Sequence, residues 1–511
     1  MAISTAIGLE RVSRVVGYRL KPATFGNNTP YLPQRIAILA EVNTANQAAL
    51  VIEPYEFISS KEVGDKYGYG SPAHQIARIL RPRSGNILGG ITTAIYPIKE
   101  ASGATATTVK KSVTCTAATA NTTHYVVING RNGVDGSRYA FSIAIGDNAA
   151  AIIAKIISAV GGVLGAPCTA AINTGNIDFV SKWKGVSSAE LNVTFDTGGV
   201  AAGVVYAEVS KTDGTGLETS TGGVTTALYS FGQTWNTLLI NGGVATLAEL
   251  EAFNGKPDPT NPTGRYVGNE FKPFVAFTGS LLSVKASIIA ITDAAARKSE
   301  VTNVIVPAPN STGFTWEAAS NMVAAYASVS QNTPHVGNGG LSYPDMPTAL
   351  LAGDFATYDG RDYLVQRGCS TVTIEGGAYT IQDMVTTYHP DGEIPPKFRF
   401  VRDLIVDWNI AFGWKIIMNR DIHDKTLVSD NDAVNVSNIV SPKQGKQLLR
   451  SYIKNVASLA FVADTTFSVN NMQVEVNGTN PARLDFYFPY KRTSVANIVS
   501  TDAAVDFAFS L

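Results

Sequence analysis

Five histidines, three cysteines and one short acid-rich run are the residues of this chain whose types could do chemistry. His74, His124, His335, His389 and His423 never recur at the spacing that puts two imidazoles on one helix face, and none neighbours a cysteine. A zinc centre therefore has no visible ligand set. His389 stands close to Asp391, a loop pair expected to be solvated. Cys115, Cys168 and Cys369 are odd in number and far apart, which reads as reduced, semi-buried thiols. The sharper alternative is cross-linking between neighbouring copies outside the cell. The run from Gly353 to Tyr363 (GDFATYDGRDY) gathers Asp354, Asp359 and Asp362 around Arg361. It lacks the glycine and the terminal glutamate of a calcium loop, so a turn with a helix-start cap is the better reading. No G-x-x-x-x-G-K-S/T or G-x-S-x-G occurs, and the junction Thr278-Gly279-Ser280 lacks a dinucleotide fingerprint. The expectation is a protein with no catalytic residues, no metal and no cofactor.

What must position these residues is a long, weakly charged chain. Its 511 residues predict two to four domains. Forty basic residues against forty-one acidic ones leave a formal net charge of −1, with only short basic runs such as Lys110–Lys111. Direct nucleic-acid binding is not expected. Hydrophobic residues at 45%, charged ones at 16% and 46 glycines suit a β-rich protein whose surface is partly covered by neighbours. Glu10, Arg11 and Arg14 break the apolar run of a signal peptide, and Leu281 to Ile291 is too short to span a bilayer. No membrane insertion is expected, and synthesis in the cytosol follows.

Hydrophobic patterning predicts mixed α/β, α+β multidomain architecture. Strands are expected at Arg35 to Asn43 and Ile91 to Ile98, with a helix over Pro72 to Arg81. Between about 101 and 222 the composition shifts to Thr, Ala, Gly and Val, and a β-β-α-β-β unit is expected. Its strands are His124–Asn129, Tyr139–Ile145, Cys168–Asn173, Ile177–Lys182 and Leu191–Phe195, and its helix is capped by Asp147. This reads as a domain inserted into the first. Beyond it come a strand at Phe274–Phe277, a helix from Ser280 to Arg297, a strand at Val301–Val306 and an Ala-rich helix over Trp316–Ser328. Strand-like runs follow at Ser370–Glu375 and Met384–Tyr388, then helices over Val401–Met418 and Pro442–Leu459. The divisions predicted are 1–30 (arm and linker), 31–100 and 223–390 (core), 101–222 (insertion), 391–480 (C-terminal inner domain) and 481–511 (strand and arm).

Both ends alternate like strands. Ile3, Ile7 and Leu9 precede a Pro/Gly/Asn linker, while Leu484, Phe486 and Phe488, then Val505, Phe507 and Phe509, close the sequence. Such edges leave backbone groups unpaired, and isolated proteins usually protect them. They either fold back into their own domain or complete a neighbour's sheet.

The order of several motifs resembles the Mu-like bacteriophage contractile tail sheath family over nearly the whole chain. The run from Tyr67 to Leu80 (YGYGSPAHQIARIL) is similar to its glycine-serine turn and helix. Gly146 to Val160 (GDNAAAIIAKIISAV) and Trp183-Lys184-Gly185 resemble its inserted unit, and Trp316 to Ala327 its Ala-rich helix. Tyr363 to Gly377, Met384 to Glu393 (MVTTYHPDGE) and Asn480 to Phe509 resemble its later blocks and tail. The resemblance implies a polymer wound around a rigid inner tube, with subunits linked by exchanged strands and the insertion on the outside. Implied partners are neighbouring copies, the inner tail tube protein, and baseplate and tail terminator proteins. The implied place is the virion tail, assembled in the bacterial host cytoplasm. Arg402, Asp403, Asp407 and Lys415 on the Val401–Met418 helix are the expected tube-facing residues, against the alternative that this helix is plain core. Rival readings are another virion or surface-lattice protein and an α/β enzyme with a β-rich insertion.

Overall fold

The computed structural model describes residues 31–505 apart from 83–87, 218–223, 233, 352, 395 and 432–435. Ile3, Ile7, Leu9, Phe507 and Phe509 lie outside the described residues. The structure is mixed α and β with several sheets. Among the described residues it divides into one unit of 32–409 with 494–505 and a second of Tyr31 with 410–493, the division falling inside the Val401–Asp421 helix.

The first unit is organised by a six-stranded sheet in the order Asn303–Pro307, Val275–Ser280, Leu238–Asn241, Arg35–Glu41, Thr92–Ile98, Tyr55–Glu56. Neighbours run parallel except the last pair. The central strands are buried along nearly their whole length, as a parallel sheet covered on both faces requires. Alternation sorts the side chains between the faces. Ala37, Leu39, Tyr96, Leu239 and Ala276 pack with Phe231 and with Val224, Leu228 and Leu250 of the helices Val224–Tyr229 and Leu247–Asn254. On the other side Phe277 meets Tyr326 of the Thr315–Asn332 helix. The Pro72–Leu80 helix begins as its sequence dictates: the Ser71 hydroxyl accepts from the His74 N–H, and Pro72 takes the first turn, where no donor is needed.

Residues 106–212 build sheets of their own between two strands of the core sheet. A four-stranded antiparallel sheet runs Val205–Thr212, Ala106–Thr114, Asn176–Lys184, Cys168–Asn173, and a three-stranded one runs Val193–Asp196, Thr122–Ile128, Ala140–Ile143. Strict alternation along Asn176–Lys184 buries Ile177, Phe179 and Trp183 completely. Ile152 and Ile156 of the Ala149–Gly161 helix join the same core.

Several sequence expectations are corrected. Asn148, not Asp147, caps the Ala149–Gly161 helix by accepting from the Ala151 N–H; Asp147 instead accepts from Ala144 N–H and pairs with Lys155. The strands Ala106–Thr114 and Val205–Thr212 were not anticipated, because Lys111 occupies an inward position, where it pairs with Glu208 at 2.7 Å. Ser280 ends a strand instead of capping a helix, and the helix is confined to Lys285–Thr292. The partner of Thr371–Glu375 is Ala378–Asp383, joined by Gly376-Gly377, both at positive φ; Met384–Tyr388 is not a strand.

In the second unit Ser441 and Gln444 cap the Pro442–Ser458 helix reciprocally. That helix packs on a hairpin of Gln473–Val476 with Leu484–Tyr487, in which Asn477 turns the chain by accepting from Thr479 and Asn480 N–H.

Candidate functional site

The residues singled out for chemistry are placed individually. His74 is buried with its Nδ1 accepting from Gly70 N–H at 3.2 Å, and burial holds its imidazole down to about 4. His124 lies between Tyr206 Oη at 2.6 Å and the Val200 carbonyl at 2.8 Å. His389 contacts Asp293 at 2.9 Å, and Arg367 and Lys298 gather on the same carboxylate. His423 is exposed beside Asp424. All three cysteines are buried, and burial pushes the Cys168 and Cys369 thiols up to about 12. Asp354 accepts from the Lys285 N–H at the start of one helix, while Thr357 caps the next. Among the described residues no group of three His, Cys, Asp or Glu side chains could hold a metal ion, and no helix is long and apolar enough to cross a membrane.

The C-terminal candidates separate into two kinds. Leu484 and Phe486 were expected in an arm, but they lie in the chain's own hairpin, where Phe486 meets Trp414 edge-on with ring centres 5.3 Å apart. Phe488 packs on Tyr452 and Tyr490. The Asn477 turn makes this local pairing easy. Each strand of the hairpin pairs with one neighbour only, so both outer edges are unpaired among the described residues. After the hairpin, Lys491 to Thr493 align with Phe461 to Ala463.

From Ile498 to Val505 the chain makes no strand pairing with any described residue. Ile498 is 85% exposed, Val499 81% and Val505 92%. Of the expected arm residues, Val505 alone belongs to this stretch. Ile498 and Val499 were not singled out from sequence, although their adjacent β-branched pair was the available signal.

The expected tube-facing helix also divides. Arg402 is buried, its guanidinium donating to the His335 carbonyl at 3.1 Å and to Asp403 at 2.9 Å. This buried site corrects the expectation that Arg402 faces a partner. Asp403 and Asp407 are half-buried, in a stretch that Leu404, Ile405 and Trp408 make core. Lys415 is exposed, as are Asn419 and Arg420 further on, which sequence reasoning missed.

The 101–217 region meets the core sheet through a dense contact. Trp183, Phe314 and Trp316 form a buried aromatic triad, with Phe314 and Trp316 stacked at 4.5 Å and Trp183 edge-on to both. Both indoles are satisfied, Trp183 by Ser187 and Trp316 by Gln75. Beside them Glu190 accepts from the Thr315 N–H and hydroxyl, each at 2.7 Å, so one region supplies the cap for the other's helix. Burial pushes the Glu190 carboxyl up to about 7, with Glu317 and Glu41 adding to the shift. Arg131 in turn pairs with Glu317 at 2.8 Å. Gly279 belongs here for a steric reason: a Cβ on it would fall on the Thr315 carbonyl oxygen.

No protein-family model matches the chain, and no curated protein matches it. Among solved structures, a sheath tail protein from Desulfitobacterium hafniense is 12% identical, with 94% of this chain and 100% of that one covered and a TM-score of 0.44. A sheath tail protein from Listeria innocua is 12% identical, covering 91% and 94%, at 0.42. The sheath of an extracellular contractile injection system in its contracted state is 9% identical, covering 97% and 99%, at 0.46.

Proposed function

We propose that this chain is the structural subunit of a contractile tail sheath: a helical polymer around an inner tube that shortens to drive the tube through a host envelope. The observation that carries this reading is the 498–505 stretch, which exposes Ile498, Val499 and Val505 and has no strand partner among the described residues. An exposed run of this kind is normally paired or blunted by charge. Strand addition to a second copy would satisfy its backbone and cover its valines and isoleucine, and the unpaired edges of the 473–487 hairpin are the acceptor this reading assigns. Residues 1–30 and 494–511 act here as tethers, 31–100 with 223–390 as core, 101–222 as an outward insertion and 391–493, with its hairpin, as the inner domain. Lys415, Asn419 and Arg420 face the tube. Partners on this reading are further copies, the tube protein, baseplate and terminator, in a virion tail assembled in the host cytoplasm.

Chemical catalysis has no part in it. Free energy stored when copies assemble in the extended arrangement is released as they slide into a second packing, a bistable lattice change propagated through contacts. Electron microscopy of the purified full chain tests this: hollow cylinders are expected. A monodisperse monomer at high concentration, showing no tubes under any solution condition, overturns the reading.

A further inference from the structure

The core sheet reverses its strand order between Arg35–Glu41 and Leu238–Asn241. The chain lays Thr92–Ile98 on one side of the first strand and builds Leu238–Asn241, Val275–Ser280 and Asn303–Pro307 outward on the other. In open α/β sheets, the crevice beyond the carboxyl ends of strands at such a reversal is where ligands bind. A cavity of ≈ 280 Å³ lies there, lined by Glu41 and Asn241 at the two strand ends, by Gly242 and Gly243, and by Val186, Ser187 and Glu190 from the 101–217 region.

Its side-chain polar groups are the Asn241 amide, the hydroxyls of Ser187 and Thr246, and two carboxyls. Asn241 is spent internally, donating to Gly243 and Thr278 and accepting from Thr246. Ser187 accepts from the Trp183 indole and its hydroxyl serves Glu41, which leaves the two carboxylates. Glu190 is held by Thr315 on both oxygens, while Glu41 is 6% exposed and its Oε2 has no hydrogen-bond partner among the described residues. A buried, unpartnered carboxyl oxygen costs free energy unless something cationic or protonated meets it. Burial raises the carboxyl of Glu41, against the lowering pull of its own backbone and Ser187, and that of Glu190 moves the same way. Glu317, which adds to the shift of Glu190, is itself neutralised by Arg131.

Two carboxylates are too few oxygens for a dehydrated calcium or magnesium ion, and the cavity exceeds the space of one ion. Ile98, Val186, Leu217 and Ala245 give it apolar walls. We propose that the crevice between Glu41 and Glu190 is a binding site for a small primary alkylammonium, its charge against the two carboxylates and its alkyl chain along the apolar wall. The site is independent of polymerisation, and its occupant would tie the 101–217 region to the core sheet.

Titration calorimetry of the full chain with n-butylammonium chloride tests this, with n-butanol and potassium chloride as controls. Saturable binding at about pH 8 is expected, at least tenfold tighter than for n-butanol and absent for potassium. Binding should weaken by about tenfold on lowering the pH to about 6, because protons then compete for the same oxygens. Glu41→Gln should weaken it by about tenfold or more. Ala245 lines the crevice and is exposed, so Ala245→Trp narrows it without displacing core side chains and should weaken binding at least tenfold even where Glu41→Gln fails to fold. Absence of saturation at about 20 mM, equal binding of n-butanol, or binding unchanged in either folded variant overturns the proposal.

Discussion

The sheets of residues 106–212 and the 498–505 stretch both carry β-branched apolar residues, with opposite results. Along Asn176–Lys184 alternation delivers Ile177, Phe179 and Trp183 to a closed core at 0% exposure. Along Ile498–Val505 comparable side chains stand more than four-fifths exposed and no ladder forms. Ile498, Val499 and Val505 are as β-prone as Ile177 and Val180, so for these side chains the difference lies in partners: the first region pairs within its own chain, and the second has no strand partner among the described residues. Packing and pairing, not propensity, decide which strand is stable alone.

The largest test of that contrast removes residues 494–511. If the stretch serves only other copies, polymerisation should be lost entirely, while the melting temperature of the unassembled protein moves by no more than about 2 °C. Sedimentation and calorimetry on the same sample separate the two. A large loss of monomer stability would mean that the run is part of its own fold. Ile498→Asp with Val499→Asp should reproduce the assembly defect, since each charge would be buried unpaired in the acceptor sheet.

The buried side of the contrast should respond in the reverse sense. Trp183→Ala opens a cavity in the triad with Phe314 and Trp316, and a loss of about 3–5 kcal/mol is expected from denaturant unfolding. A cost below about 1 kcal/mol would show that the 101–217 region is not held through this contact.

How far the sequence reveals this depends on how local the cause is. The Pro72–Leu80 and Pro442–Ser458 helices were legible because Ser-Pro starts and apolar spacing act within a few residues. Ala106–Thr114 was hidden by Lys111, whose inward position makes sense only beside Glu208 on a strand far along the chain. Leu238–Asn241 was too short to stand out, yet it creates the crevice facing Glu41. The buried environment of Glu190 is likewise a product of tertiary contact with Thr315. On the exposed side, terminal alternation was visible, but the Asn477 turn that returns Leu484 and Phe486 to their own hairpin was overlooked. The chain's lack of charge signalled covered surface without saying what covers it.

A smaller effect, from pH, sharpens the same comparison. Glu190 has an ordinary value of 4.5 and rises to about 7 when folded, so the folded state holds its proton more tightly. The stability this contributes is fully present below pH 4.5, declines between the two values and is gone above about 7. The shift corresponds to on the order of 3 kcal/mol. Glu190→Gln keeps an acceptor for the Thr315 N–H and a donor for its hydroxyl, and should flatten this dependence while raising stability at pH 8 by about 2 kcal/mol. Urea unfolding at a series of pH values checks both. A slope unchanged in the variant would assign it to another carboxyl.

The smallest expected effect belongs to the exposed end of the Val401–Asp421 helix, where Arg420 pairs with Asp421 at 2.9 and 2.6 Å. Arg420 also sits in the last turn, where a cation suits the helix dipole. Arg420 is largely exposed and Asp421 partly so, and Arg420→Ala should therefore cost no more than about 0.5 kcal/mol in unfolding. The contrast with Trp183 then becomes quantitative: a side chain buried among its partners is worth several kcal/mol to the fold, and one paired at the surface almost nothing. If Lys415 and Arg420 meet the tube, Lys415→Ala with Arg420→Ala should leave the melting curve in place and weaken co-sedimentation with preformed tubes, most clearly at low salt. A melting curve shifted by more than a few degrees would place these two side chains in the fold, and unaltered co-sedimentation would remove them from the contact.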